Sequence, residues 1–249
     1  MIKITKKKLK NSLYILLKSL FPPNCVVCDK EGELICNNCS RKLIKHSFEC
    51  HVCHRKCENG VYVCKECRNM TLIQGIFIGY VYDNNVRKII EFCKYKGYYY
   101  VFNKVVTLLR LLFKDMKKTL PVQDTMLVPV PIFFLKENMR GFNQSEKLCE
   151  YINDIHKYNY QKLLTKIFPT RSQVGKKQEE RLLSQKGVFR VNKRKLKNIE
   201  NIKNIVIVDD VMTSGSTLEE CAKVIKETLP MINLYAFVIA RGEIKTRNN

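Results

Sequence analysis

Four C-x-x-C pairs stand in series near the amino end of this 249-residue chain: Cys25/Cys28, Cys36/Cys39, Cys50/Cys53 and Cys64/Cys67. Each pair lets two thiolates converge on one ion, and two such turns complete a tetrahedral site. The spacing predicts two closed Zn²⁺ sites built from those eight cysteines. All-sulfur sites of this kind are structural, because a catalytic zinc keeps one position open for water. The segment is too short for a core of its own, so metal binding replaces much of the hydrophobic burial. Sequential pairing of the turns is the simplest arrangement; interleaved pairing uses the same ligands. A disulfide scaffold is disfavoured, since it belongs to oxidising compartments and no export signal is found. His51, His54 and Cys57 are read as bystanders. Cys93, Cys149 and Cys221 lie in apolar stretches and are read as small buried fillers.

A second constellation spans residues 205–217. Four β-branched residues (205–208) run into Asp209 and Asp210, and Thr213-Ser214-Gly215-Ser216-Thr217 then leads into a helix. A helix start offers backbone N–H groups and the positive end of its dipole. Gly215 permits close approach, and the hydroxyls of Thr213, Ser214, Ser216 and Thr217 add donors, so this loop can wrap a phosphate. Carboxylates repel phosphate, so the two acids need another purpose. The economical ligand is a phosphorylated ribose with Mg²⁺, and it requires carboxyls that are not buried in an ion pair. Capping of the helix by Ser216 or Thr217 is expected as well, and a phospho-acceptor role for the acids is a competing reading. A P-loop is excluded, because no G-x-x-x-x-G-K-[ST] occurs.

The elements that must carry these residues alternate. Strands are expected over 76–82, 126–130, 205–208 and 233–240, and helices over 86–93, 99–113, 143–156 and 217–228. Residues 161–168 are apolar enough to be ordered, and 170–186 read as a polar loop. Such alternation predicts an α/β domain with a mainly parallel sheet flanked by helices. Ligands of such sheets bind at the carboxyl ends of the strands, where the 213–217 loop must lie.

Residues 205–217 resemble the phosphoribosyl pyrophosphate (PRPP) loop of the type I phosphoribosyltransferases. The resemblance narrows to the ComF competence family. It is carried by Val128-Pro-Val130-Pro131 with Arg140-Gly-Phe-Asn-Gln144, by Thr170-x-x-Gln173 with Arg181 and Gly187-Val-Phe189, by Lys94-Tyr-Lys96-Gly97, and by a double zinc ribbon at the front. Ser184 departs from the family, which more often has Asn there. The resemblance implies a PRPP site in which Asp209 and Asp210 contact the ribose and Thr213 to Thr217 grip the 5′-phosphate. It further places Val130 and Pro131 near the pyrophosphate, and assigns Arg181 and, less strongly, Arg140 to the diphosphate, with Mg²⁺ bound alongside. It also implies a cytoplasmic role in handling single-stranded DNA during natural transformation, with a DNA-uptake helicase as a candidate partner. Two alternatives stay open: an active phosphoribosyltransferase with an unidentified acceptor, its pocket drawn from residues 70–110, or an assembly module whose ligand site is vestigial. No catalytic residue is assigned.

Composition suits these readings. Lys plus Arg is 45 against 23 acids, a net charge of +22. Residues 171–203 carry eleven Lys or Arg against three acids. Tyr95, Tyr98, Tyr99 and Tyr100 sit beside Lys94 and Lys96, a mixture that suits single-stranded nucleic acid. No apolar run reaches the ~18 residues of a membrane span. The expected organisation is a basic amphipathic segment over 1–22, the double zinc ribbon over 23–69 and the phosphoribosyltransferase-like domain over 70–245.

Overall fold

The computed structural model describes residues 22–47, 49–56, 63–95, 100–169, 187–196 and 199–242. The chain divides into two compact units, Met1–Leu43 and Ile44–Asn249. The second cysteine group therefore lies in the same unit as the sheet. In the smaller unit, Cys36 N-caps the short helix α1 (Asn37–Arg41) through its sulfur.

The larger unit is built on a five-stranded sheet. Its members are β1 (Gly75–Val81), β2 (Thr125–Pro129), β3 (Asn159–Tyr160), β6 (Asn204–Met212) and β7 (Asn233–Arg241). They run in the order β1-β7-β6-β2-β3, and every neighbouring pair is parallel. A separate antiparallel pair joins β4 (Leu164–Lys166) to β5 (Phe189–Val191). The helices around them are α2 (Asn84–Tyr95), α3 (Tyr100–Leu108), α4 (Arg110–Thr119), α5 (Phe134–Arg140), α6 (Gln144–His156) and α7 (Ser216–Thr228). This is the mainly parallel α/β architecture that the alternation of elements predicts.

Central position explains the sequence of β6. Ile205, Val206, Ile207 and Val208 are all fully buried, as a parallel strand covered on both faces must be. Leu218, Cys221, Ala222 and Ile225 of α7 share one apolar cluster with Ile205 and Ile207. Burial of such side chains, at roughly 25 cal/mol per Å² of apolar surface, is what chiefly holds helix to sheet. Cys93, Cys149 and Cys221 are buried fillers, as expected. Among the described residues, no helix is long and apolar enough to cross a membrane.

Beyond the short strands β3, β4 and β5 and the helix α5, which were not expected, several local features depart from expectation. The single helix expected over 99–113 is two, broken at Leu109 and continued to Thr119. Strand β6 does not stop before the acids but includes both of them and runs to Met212, with Asp209 paired to Val238. Residues 44–46 form an unforeseen pairing at the sheet edge: Val81 N–H donates to Ile44 O (2.9 Å) and His46 N–H to Gly79 O (3.1 Å).

Candidate functional site

Asp209 and Asp210 lie near the carboxyl end of β6, and their environments differ. Asp209 Oδ1 accepts from Ser145 Oγ at 3.0 Å and from the backbone N–H of Asp210 at 2.9 Å. Burial, followed by the charge of Asp210, pushes the Asp209 carboxyl up to about 7. Asp210 is buried, and its Oδ2 stands 2.7 Å from Lys94 Nζ. Burial alone would lower the pKa of Lys94, but the charge of Asp210 and its hydrogen bond outweigh burial and hold the ammonium above its usual value. The expectation of unpaired carboxyls is therefore met by Asp209 and not by Asp210. Charge near two converging acids is costly to leave uncompensated, and Lys94 supplies the counter-charge.

The segment after β6 turns sharply. Gly215 has φ +80°, and a Cβ there would fall 2.9 Å from Met212 Cε. Only glycine adopts this backbone cheaply. Gly215 itself is the N-cap of α7, and no side chain caps that helix. This corrects the expectation that Ser216 or Thr217 does so. Instead, Ser214 and Ser216 share a hydroxyl–hydroxyl contact of 3.1 Å. Ser216 is buried, Thr213 is exposed, and Ser214, Gly215 and Thr217 are half-buried. The thirteen-residue helix has no side-chain cap at its start, and first-turn N–H groups are the donors an anion accepts from.

Asn143 ties this region to the turn after β2. Its Nδ2 donates to Val130 O at 3.0 Å, while its Oδ1 caps α6 by accepting from Ser145 N–H at 3.0 Å. Val130, Asn143, Ser145 and Asp209 thus form one hydrogen-bonded series. Val130 N–H donates in turn to Val208 O at 2.9 Å, so its polar groups hold the turn in place. Pro131 lines a cavity of about 200 Å³ together with Phe134, Asn143, Lys162, Lys166 and Lys195. Arg140 Nη1 donates to Gln144 Oε1 at 3.2 Å, across the turn between α5 and α6. Arg181, the 170–186 loop, Cys57 and the Lys96–Tyr99 stretch lie outside the described residues.

The eight metal-ligand candidates fall into two groups. In Cys25, Cys28, Cys36 and Cys39, and again in Cys50, Cys53, Cys64 and Cys67, the four sulfurs all lie within 4.8 Å of one another. The pairing is thus sequential. Cys28 and Cys36 sulfurs are 3.7 Å apart and those of Cys53 and Cys64 are 3.6 Å apart. Four sulfurs placed about 2.3 Å from a shared tetrahedral zinc would stand about 3.8 Å apart, so both groups fit the ion. Cys36 N–H donates to Cys25 Sγ and Arg55 Nε to Cys53 Sγ. For Cys25, burial raises the pKa but backbone donors prevail and bring it to about 6; for Cys53, Arg55 leads in lowering it to about 6. Both groups could hold zinc. His51 and His54 are not among the ligands.

Lys94, Asn143 and Ser145 are the site residues that sequence reasoning did not assign to the acids or the turn. Lys94 and Asn143 lie inside quoted motifs, which was the available signal; Ser145 gave none. Ile44, His46 and His51, outside the 70–110 region, bond the carboxyl-end residues of β1 and β7.

No family model matches the chain. It is 26% identical to Competence protein ComFC of Bacillus subtilis over 221 residues, 86% of this chain and 86% of that protein. It is 25% identical to Competence protein F of Haemophilus influenzae over 223 residues, 85% of this chain and 94% of that protein. The chain therefore resembles the ComF competence proteins along most of its length, and its two four-cysteine groups fit a double zinc ribbon.

Proposed function

We propose that this chain serves natural transformation as a ComF-type cytoplasmic protein that handles single-stranded DNA, and that the carboxyl end of β6 binds a phosphorylated ribose of the PRPP type with Mg²⁺. The competence names of its relatives support the first part. The sugar-phosphate part is carried by one observation: Asp209 and Asp210 stand a few residues before Gly215, whose left-handed turn starts α7 with no side-chain cap. Anion donors and carboxylates thus adjoin each other at the ends of parallel strands, where such ligands bind. Thr213 to Thr217 would meet the phosphate, and Asp209 the ribose hydroxyls. Mg²⁺ takes oxygen ligands and binds with substrate phosphates; it would displace Lys94 from Asp210. Pro131 borders the cavity through which a diphosphate would be reached, and Arg181 and Arg140 are its proposed cations. The zinc groups serve structure. Eight cysteines placed to ligate zinc rather than to form disulfides suit a reducing compartment.

Single-stranded DNA has a candidate surface at the cavity beside Pro131. Lys162, Lys166 and Lys195 line it together with Phe134, which is 57% exposed, and with Glu137 and Glu146, the latter 2.6 Å from Lys162 Nζ. Cations and an exposed ring are what a single strand contacts.

Calorimetric titration of PRPP with Mg²⁺ into the full chain tests the site. Saturable binding that Asp209→Asn weakens by about tenfold or more, the scale of one lost charge-assisted hydrogen bond, is expected. No heat at millimolar ligand would overturn the assignment. Release of pyrophosphate in the presence of an acceptor would go further and make the protein an enzyme.

A further inference from the structure

The four histidines of the chain lie at residues 46, 51, 54 and 156, three of them within a few residues of Cys50 and Cys53 in the sequence. These three are not among the four candidate ligands of the second cysteine group. His51 faces Glu219 of α7, His54 faces Arg241 of β7, and His46 faces Glu49, which bonds Arg241; these contacts converge on the two ends of the 213–217 loop.

One arm runs through Arg241, the last residue of β7. Arg241 is only 2% exposed. Its Nη2 donates to His51 O at 3.0 Å and lies 3.3 Å from His54 Nδ1, and its Nη1 donates to Glu49 Oε1 at 3.4 Å. Glu49 in turn faces His46 at 3.5 Å and His54 at 3.6 Å. Arg241 is the ladder partner of Met212, and Gly242 N–H donates to Met212 O at 2.9 Å. Met212 is the residue from which the loop departs.

The other arm runs through Glu219 in the first turn of α7. His51 Nε2 lies 3.7 Å from Glu219 Oε1 and 3.3 Å from Thr71 Oγ1. Thr71 Oγ1 donates to Glu219 Oε1, and Leu72 N–H donates to Glu219 Oε2 at 3.4 Å. Glu219 N–H donates to Gly215 O at 3.0 Å, so Glu219 is fastened to the loop's own glycine. His51 stands between Cys50 and the Cys53 turn, so its position depends on the fold of that group.

We infer that the second cysteine group, Cys50, Cys53, Cys64 and Cys67, sets the shape of the 213–217 loop by gripping its departure point through Arg241 and its arrival point through Glu219. His51 and Arg241 are positioning residues for the phosphate. These contacts come from Glu49, His51 and His54, beside the second group. This deepens the phosphoribosyl reading and rests on it for the identity of the ligand, but the mechanical link stands on the contacts alone. A zinc ion in the second group would fix Cys50 and Cys53, and with them the backbone carbonyl that Arg241 bonds.

Amide hydrogen exchange over residues 212–219 of the full chain tests the link, with zinc content measured in parallel. Cys53→Ser, losing the second zinc, is expected to speed exchange there by about tenfold, because local opening becomes cheaper. Cys28→Ser, losing only the first zinc, is expected to leave it within about twofold. His51→Gln, retaining both zincs, keeps the test valid if Cys53→Ser does not fold, and is expected to speed exchange as well. Unchanged exchange in His51→Gln, or equal effects of the two cysteine variants, would overturn the inference. Ribose 5-phosphate is the binding probe: failure of the parent protein to bind it would overturn the phosphoribosyl reading and leave the exchange result to decide the link.

Discussion

Lys94 Nζ and Asp210 Oδ2 stand 2.7 Å apart, a cation from α2 set against the second of two adjacent acids in β6. The pair makes the acids unequal. Asp210 is neutralised by the protein itself, whereas Asp209, held by Ser145 and by backbone, has its pKa raised by burial and by its neighbour. Lys94 acts as a built-in counter-ion that a divalent metal and a sugar phosphate would have to replace.

Removing that counter-ion should cost stability. Lys94→Ala leaves Asp210 buried and uncompensated, and is expected to destabilise by about 2–3 kcal/mol; a fully buried pair would cost about 3–5, but Lys94 keeps partial contact with water. Asp210→Asn in the same chain should recover most of the loss. Urea unfolding of the two single variants and the double variant checks this, and additive losses would contradict it.

The raised pKa of Asp209 predicts a pH dependence of defined sign. Its carboxyl is shifted from 3.8 to about 7, so the folded chain holds this proton more tightly than the unfolded chain. Stability from this group is present below the unfolded value and falls as pH rises through that window. Asp209→Asn removes the penalty. The variant should exceed the parent in Tm at pH 8, by a ceiling of about 4 kcal/mol in free energy, and match it near pH 4. A pH-independent difference would refute the assignment.

Asn143 joins two tasks, capping α6 and holding the Val130 carbonyl. Asn143→Ala should destabilise by about 1–3 kcal/mol, the sum of a lost cap and an orphaned buried acceptor. If Pro131 borders the diphosphate, the same variant should weaken PRPP binding, while an exposed control such as Met139→Ala should not. Chemical denaturation and calorimetry separate the two effects.

Metal analysis should find about two zinc ions per chain, four sulfurs to each. A single cysteine-to-serine change in either group should lower the count by about one and release the ion to a chelator faster. A parent protein holding no zinc after purification without chelators would require another role for the eight thiols.

If single strands lie across the lysine-lined cavity, affinity should fall steeply with salt. Lys195→Ala should reduce the slope by about one counterion, and Lys162→Ala by less, since Lys162 already pairs with Glu146. Fluorescence anisotropy with an oligothymidine at several salt concentrations reads this directly, and a flat response would count against the DNA surface.

The cysteine spacing foretold both groups because C-x-x-C geometry is local, and the strands of the sheet followed from their β-branched runs. What escaped had no local signal. The break at Leu109 lacks a glycine or proline, and Val101, Val105, Leu109 and Phe113, all buried, keep helical spacing straight across it. The strands Asn159–Tyr160 and Phe189–Val191 are too short to show a period. The Lys94–Asp210 pair and the contacts of His51 join residues far apart in sequence, so only the folded chain brings them together. Lys94 carried a clear motif, yet its neighbours suggested stacking on nucleic acid, not charge compensation.

The strip Ile44–His46 also bears on how the protein behaves in company. A parallel sheet ends at β1, and an outermost strand with open amides and carbonyls invites another chain to add itself there. By bonding Gly79 and Val81, this strip closes much of that invitation from within the same molecule. A truncated form beginning near residue 70 would bare the strand and tend to self-associate, whereas one beginning at residue 44 keeps its guard.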